Sequence, residues 1–395
     1  MNKRIPTFQW VQLLALSAVH FTADMFGNML PSILPAVRSE FALSLSIGGF
    51  VLAALVVTAN GVQMATGHLR PEKTTPFFLH IGLTTAACVC LVAVLPRSPL
   101  GVWFLMALAA ISGCGIAVVH PEGLRAIHTI THIPAPITTA VFMAGGFLGF
   151  ASGGVISTAL VARFGLPGLY PLLLCPLVGI VLVIALRIRL AAEPVADQPL
   201  IEPAPPRQMR FHLIVLMGLP AALSTTVVAL LLPTRLEELG FELTFGGYSA
   251  TMFGLGGALG AFIWASIAHR KGELLCSTVA FLLAGPAALA YLLLMANTWA
   301  VWIVFSAGFF AFAAYMLLIT LARYAAGAGL GSRMGWIVGG TWLFANILFL
   351  PLVPVADHFG TDRVLYYAPV GYILSGLFGV YVISKNRAPA APNRP

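Results

Sequence analysis

The chain has 395 residues, of which 59% are hydrophobic and only 9% charged, whereas an ordinary soluble domain carries about 25% charged residues. That composition excludes a soluble enzyme and a secreted disulfide scaffold. The net charge of +8 does not point to nucleic acid, because the basic residues fall in short loops between apolar runs.

In chain order, apolar runs broken by charge, Pro or Gly predict helices over 10–36, 44–66, 76–95, 100–127, 136–162, 167–187, 211–234, 244–267, 274–295, 299–323, 333–356 and 363–384. Each is about the 20 apolar residues needed to cross a bilayer. The expectation is an all-α polytopic membrane protein with twelve transmembrane helices. Lys3 and Arg4 ahead of the first run resemble a signal peptide. The run continues past His20 and Asp24 without a small-residue cleavage site, so it is taken as the first span.

One long polar stretch, 187–210, carries Pro194, Pro199, Pro203, Pro205 and Pro206 and cannot bury enough to fold alone. It divides a six-helix bundle at 1–186 from a second at 211–384, two pseudo-symmetric halves, and 385–395 is expected to be a disordered tail. Counted by segment, 16 basic residues lie on the side of the N-terminus and 5 (Arg38, Arg97, Arg163, Arg235 and Arg363) on the other. The positive-inside rule then makes both termini cytoplasmic. Cys88, Cys90, Cys114, Cys175 and Cys276 have neither metal-ligand nor redox spacing and are expected to be small buried hydrophobes.

Two six-helix halves joined by a long loop suit a transporter that rocks about a central site. No filter-like repeat suggests a channel. An acid inside a span costs about 2.5–3.5 kcal/mol on insertion scales, so it needs a partner, a proton or water. In the first span His20, Asp24 and Asn28 recur every four residues and share one helical face. Asp24 is then either a hydrogen-bonded interhelical contact or a carboxylate that exchanges protons with a cavity. His20 is open to the same two readings, and Asn28 is either a substrate contact or helix glue.

The fourth span holds His120-Pro121-Glu122-Gly123-Leu124-Arg125. Pro121 should kink the helix, and Glu122 can pair with Arg125 three residues on. That pair either neutralises itself near the membrane surface or switches partners during transport, with Arg125 able to meet an anionic substrate. His128 and His132 are expected at the interface. Gly145, Gly146, Gly149, Gly153 and Gly154 in the fifth span permit close helix packing and could also soften a gating helix. In the second half Tyr315, Trp342 and Asn346 are candidate cavity residues, while Arg323 is read as a positive-inside anchor. His20, Asp24, His120 and Glu122 have metal-compatible chemistry, yet no His-x3-His or Cys-x2-Cys spacing supports a site. No metal or cofactor is expected. An integral-membrane enzyme built on these groups is a remote alternative, since it leaves the two-half plan unexplained.

These residues resemble the major facilitator superfamily and, within it, the fosmidomycin-resistance exporters. The likeness rests on His20-x3-Asp24-Met25, Ser39-Glu40-Phe41, Gly113 to Arg125 around His120-Pro121-Glu122, Arg333-x-Gly335 and Ala356-Asp357-His358. General superfamily motifs are eroded. Pro71 stands where the loop after the second helix usually has aspartate, two residues after Leu69 and next to Arg70. His269 takes the related place before Arg270, Ala109 replaces a common fourth-helix arginine, and Phe150 replaces the proline of the antiporter motif. The resemblance implies drug or metabolite efflux; taken with the polar groups of the first half, the expectation is a proton-driven exporter of a small organic, preferably anionic, molecule in a bacterial inner membrane, most simply a monomer. In it Asp24, His20, Glu122 and His120 would serve proton coupling. Gating would fall to Gly145, Gly149, Gly153, Pro121, Arg70 and Arg270. An importer of an organic anion by proton symport would share every feature except direction.

Overall fold

The computed structural model describes residues 4–66, 73–133, 135–191, 209–326 and 330–386. Arg70, most of the proline-rich stretch and the tail beyond 386 lie outside the described residues. Every regular element described is helical, and twelve helices are long and apolar enough to cross a membrane. They are α1 (Arg4–Phe41), α2 (Leu45–Thr66), α3 (Phe77–Val94), α4 (Pro99–Ile127), α5 (Ala135–Phe164), α6 (Leu166–Ala185), α7 (Phe211–Glu238), α8 (Leu243–Lys271), α9 (Glu273–Leu294), α10 (Val301–Arg323), α11 (Arg333–Phe359) and α12 (Thr361–Asn386). Helices satisfy their backbone groups internally, which hydrocarbon demands.

Hydropathy places the spans but misjudges some ends. α1 runs past its apolar stretch to Phe41, because charged residues continue a helix as readily as apolar ones. It stops at Ala42, whose φ of 52° lets Leu43 N–H bond back to the Arg38 carbonyl at 2.9 Å. α11, expected as one helix, is broken. A π turn covers Trp336–Gly340, and the α-helix ends at Phe349 and resumes at Leu352. Pro351 at the break has no N–H to continue the ladder. At the π turn, side chains take the displaced carbonyls. Tyr315 Oη donates to Ile337 O at 2.7 Å, and Thr341 Oγ1 to Trp336 O at 3.0 Å.

Packing repeats with a six-helix period. α1 packs on α5, α2 and α3 on α4; correspondingly α7 packs on α11, α8 and α9 on α10. Contacts between the two sets are made by α5 with α8, α2 with α11 and α1 with α7. Glycines set the closest seams. A Cβ at Gly145, Gly149 or Gly153 would overlap the carbonyls of Ser17, Phe21 and Met25 respectively, so α1 and α5 touch backbone to backbone. Gly113 sits in the same way on Leu55 of α2.

We call the N-terminal end of α1 the near end of the bundle and the Phe41 end the far end. Exposed Trp103, Trp299, Trp302 and Tyr367 ring the far end, while Trp10, Trp336 and Tyr381 ring the near end. These two belts mark the membrane interfaces. At the far end Ser46, through its N–H (3.1 Å) and its hydroxyl (2.5 Å), donates to Asp357 Oδ2 and ties α2 to α11.

Candidate functional site

Midway along α1, His20 and Asp24 are one helical turn apart, and α4 delivers His120 to the same carboxylate. His20 Nε2 lies 3.2 Å from Asp24 Oδ2 and His120 Nε2 2.9 Å from Asp24 Oδ1. The two rings meet edge to face with centroids 4.9 Å apart. His20 is closed off, with 2% of its side chain exposed, but Asp24 keeps 21% and His120 19%. The carboxylate and the α4 imidazole thus keep part of their surface open.

The tautomers follow from the other ring nitrogens. His20 Nδ1 is 2.9 Å from Phe142 O, and His120 Nδ1 is 2.9 Å from Ile116 O. A carbonyl oxygen only accepts, so Nδ1 carries the hydrogen in both rings. Each Nε2 then presents either a lone pair or a second proton to Asp24. Lone pair against carboxylate is repulsive, so each of the two contacts needs one proton, on the imidazole or on the acid. In this closed geometry the two contacts together call for two protons, which separated side chains would not.

Two glycines that bear no charge shape this site. A Cβ on Gly146 would stand 2.5 Å from Asp24 Oδ2 and from His20 Nε2, and one on Gly123 would stand 2.6 Å from Phe142 Cζ. Phe142 in turn stacks on His20 with centroids 4.2 Å apart. Thus α5 covers the cluster with a bare backbone at Gly146 and an aromatic lid one turn earlier. Sequence reasoning passed over Phe142 and Gly123; the spacing Phe142-x3-Gly146, parallel to His20-x3-Asp24, is the signal that could have found the lid.

The remaining expected residues fall elsewhere. Glu122 and Arg125 do pair, at 3.3 Å, but both are buried near the end of α4. Arg125 also donates to the carbonyls of Lys73 (2.6 Å) and Ala191 (2.9 Å), binding the segment before α3 and the segment after α6 to α4. The guanidinium is thus held by loop carbonyls as well as by Glu122. Asn28 Nδ2 donates to Phe150 O at 2.7 Å, the helix-glue alternative. Tyr315 packs on half-buried Trp342 at 4.9 Å, while its hydroxyl is held by the π turn; Asn346 is buried. α4 runs as continuous helix through Pro121. Arg270 and Arg323 are exposed at near-end helix termini, and His128 and His132 are exposed beyond the end of α4.

His20, Asp24 and His120 offer three metal-ligating atoms within 4.8 Å of one another, a set invisible to spacing rules because the third ligand comes from another helix. Donors around a tetrahedral ion stand about 3.4 Å apart at zinc bond lengths. The 2.9 Å contact is tighter than that and the 4.8 Å spread is wider. The atoms are arranged for hydrogen bonds.

A twelve-helix apolar bundle with an ionisable cluster midway along its first helix has the plan of a membrane transporter. The sequence profile of the Major Facilitator Superfamily matches residues 16–332, and the chain belongs to that family. It is a secondary transporter and a multi-pass membrane protein. The fosmidomycin resistance protein of Escherichia coli (strain K12) is 25% identical over 152 residues, which are 38% of this chain and 36% of that protein. The match thus spans about a third of that relative's length. Among solved structures, a bacterial homologue of the human lysosomal transporter Spinster, inward-facing and occupied, superposes with a TM-score of 0.63 at 14% identity, covering 99% of this chain and 100% of that one. A POT family transporter in complex with a thioalcohol-conjugated peptide gives 0.70 at 13% identity, covering 95% and 96%. These two share the fold.

Proposed function

We propose that the protein is a proton-coupled exporter of a small organic molecule, working by alternating access of two halves, 1–186 and 211–384. Membership of the family supports transport, and the convergence of His20 and His120 on Asp24 is the observation that carries proton coupling. α1 and α5 form one unit through their glycine seam, and α4 is held to α2 through Gly113. The cluster bridges these two units. Loading protons draws His120 onto Asp24; losing them leaves unprotonated nitrogen facing carboxylate and parts α4 from α1. Protonation thereby biases a packing equilibrium, which is what coupling requires. Glu122 and Arg125 hold the near end of α4, and Pro121 and the α5 glycines permit its movement.

The name of the partly matched E. coli relative and the glycine run of α5 support export of a drug or metabolite. Trp342 and Asn346 keep their place as substrate contacts, while Asn28, Tyr315 and Arg125 act structurally. The basic-residue bias supports cytoplasmic termini in a bacterial inner membrane, and a monomer suffices for the mechanism. A second reading is favoured by one feature. The cluster with both protons carries a net charge of +1, which attracts an anion in the loaded state and suits proton symport of an organic anion. Reconstituted vesicles with an imposed pH gradient of either sign separate the two, using fosmidomycin as the first probe. Flux against the proton movement supports export by exchange, and flux along it supports symport. Flux indifferent to the gradient in both directions removes proton coupling.

A further inference from the structure

A well-formed cavity lies away from the cluster. It is a crevice of about 510 Å³ on the outside of the second half, between α7, α11 and α12. Its walls are almost wholly apolar, formed by residues such as Val355, Phe359 and Leu374 that are 41%, 53% and 52% exposed. Its floor is closed where α7 and α12 meet backbone to backbone, since a Cβ on Gly371 would overlap Ser224 and the Pro220 carbonyl. The break of α11 at Pro351 adjoins its α11 wall.

Three features identify the occupant. First, the crevice opens among exposed apolar side chains, where bilayer lipid is the surrounding phase. Secondly, along α12 it extends from Arg363 to Leu374, eleven residues, or about 16 Å of helix. That is about half the roughly 30 Å hydrocarbon core, the depth of one leaflet. Thirdly, Arg363 stands at its far-end mouth, beside the belt residue Tyr367. Of the other far-end arginines, Arg97 pairs with Glu40 and Arg235 with Glu238, while Arg38 and Arg163 do not line the crevice. Arg363 has no ion pair among the described residues; its guanidinium lies 5.9 Å from the Phe359 ring. The adjacent Asp362 carboxylate sits over Gly360 instead.

We propose that this crevice is a phospholipid site of the far leaflet, with one acyl chain in the groove and the lipid phosphate on Arg363. A guanidinium matches phosphate oxygens in a two-point contact that a neutral lipid does not offer. The site is independent of how protons are coupled to transport.

The full-length protein in nanodiscs is irradiated with a trace of phosphatidylglycerol bearing a photoactivatable acyl chain, or with diacylglycerol bearing the same chain. Peptides are then mapped by mass spectrometry. Phosphatidylglycerol should label residues 352–374 about fivefold more than diacylglycerol, the worth of one interfacial charge. Arg363→Gln should lower its labelling to the diacylglycerol level, and Arg363→Lys should restore part of it. Val355→Trp, an exposed wall position that tolerates bulk, should suppress labelling by both lipids. Equal labelling by the two lipids, or no change in Arg363→Gln, overturns the proposal. Displacement of the label by fosmidomycin, or cross-links from this face to a second copy, overturns it in favour of a substrate groove or a dimer interface.

Discussion

Replacing His120 by Gln tests the proton inventory of the cluster directly. The glutamine amide can still donate to Asp24, so the contact now made at 2.9 Å survives without an exchangeable proton. The wild-type cluster has two contacts that each need one proton; the variant has one. Each proton moved through one pH unit supplies about 1.4 kcal/mol, a tenfold gradient. At steady state, and with membrane potential clamped, the logarithm of the substrate ratio should therefore rise with a slope of about 2 per pH unit in the wild type and about 1 in His120→Gln. Asp24→Asn should flatten the slope while leaving downhill exchange. The assay is accumulation of radiolabelled substrate in reconstituted vesicles over a series of imposed gradients. A zero slope for the wild type, or a slope unchanged by His120→Gln, would refute the two-proton cluster. Nitrogen-15 spectra of histidine-labelled protein check the same premise without substrate, because both rings should carry hydrogen on Nδ1.

The other predictions concern packing. Gly146→Ala places a methyl group 2.5 Å from Asp24 Oδ2; it should preserve the fold, cost about 1–3 kcal/mol of stability by overpacking, and weaken coupling, read as a lower slope in the same vesicle assay. Gly149→Val meets the Phe21 backbone instead, so it should lower the thermal midpoint in detergent more than Gly146→Ala does, since a backbone has less freedom to yield than a side chain. Asp357→Ala removes the acceptor of both Ser46 bonds and should raise thiol labelling of a cysteine introduced at Val353, a fully buried residue packed on Gly49; unchanged labelling would show that the far end is held shut by other contacts. Arg125→Ala should reduce stability and folded yield before it alters substrate preference, because its partners are backbone carbonyls of two loop segments; a selective loss of anion transport at full yield would return it to the substrate site.

Hydrophobic run length determined much of this protein from sequence alone. Lipid forces every crossing segment to satisfy its own backbone, so counting apolar residues counted helices, and twelve were read where twelve stand among the described residues. The i, i+4 spacing of His20 and Asp24 is equally local, and it placed both on one face of α1. Helix ends were less legible: α1 outruns its apolar stretch, and α11 breaks at Pro351 and swells into a π turn that Tyr315 holds from another helix. The tertiary structure alone decided which ionisable residues meet. Sequence grouped His120 with Glu122 and Arg125 because they are neighbours in the chain, yet successive helical residues point about 100° apart. Packing of α4 against α1 sends His120 to Asp24 and turns Arg125 toward Lys73 and Ala191. The glycines of α5 likewise read as one stripe. Only the approach of α1 separates Gly145, Gly149 and Gly153, which carry the backbone seam, from Gly146, which leaves room for the carboxylate and its two imidazoles.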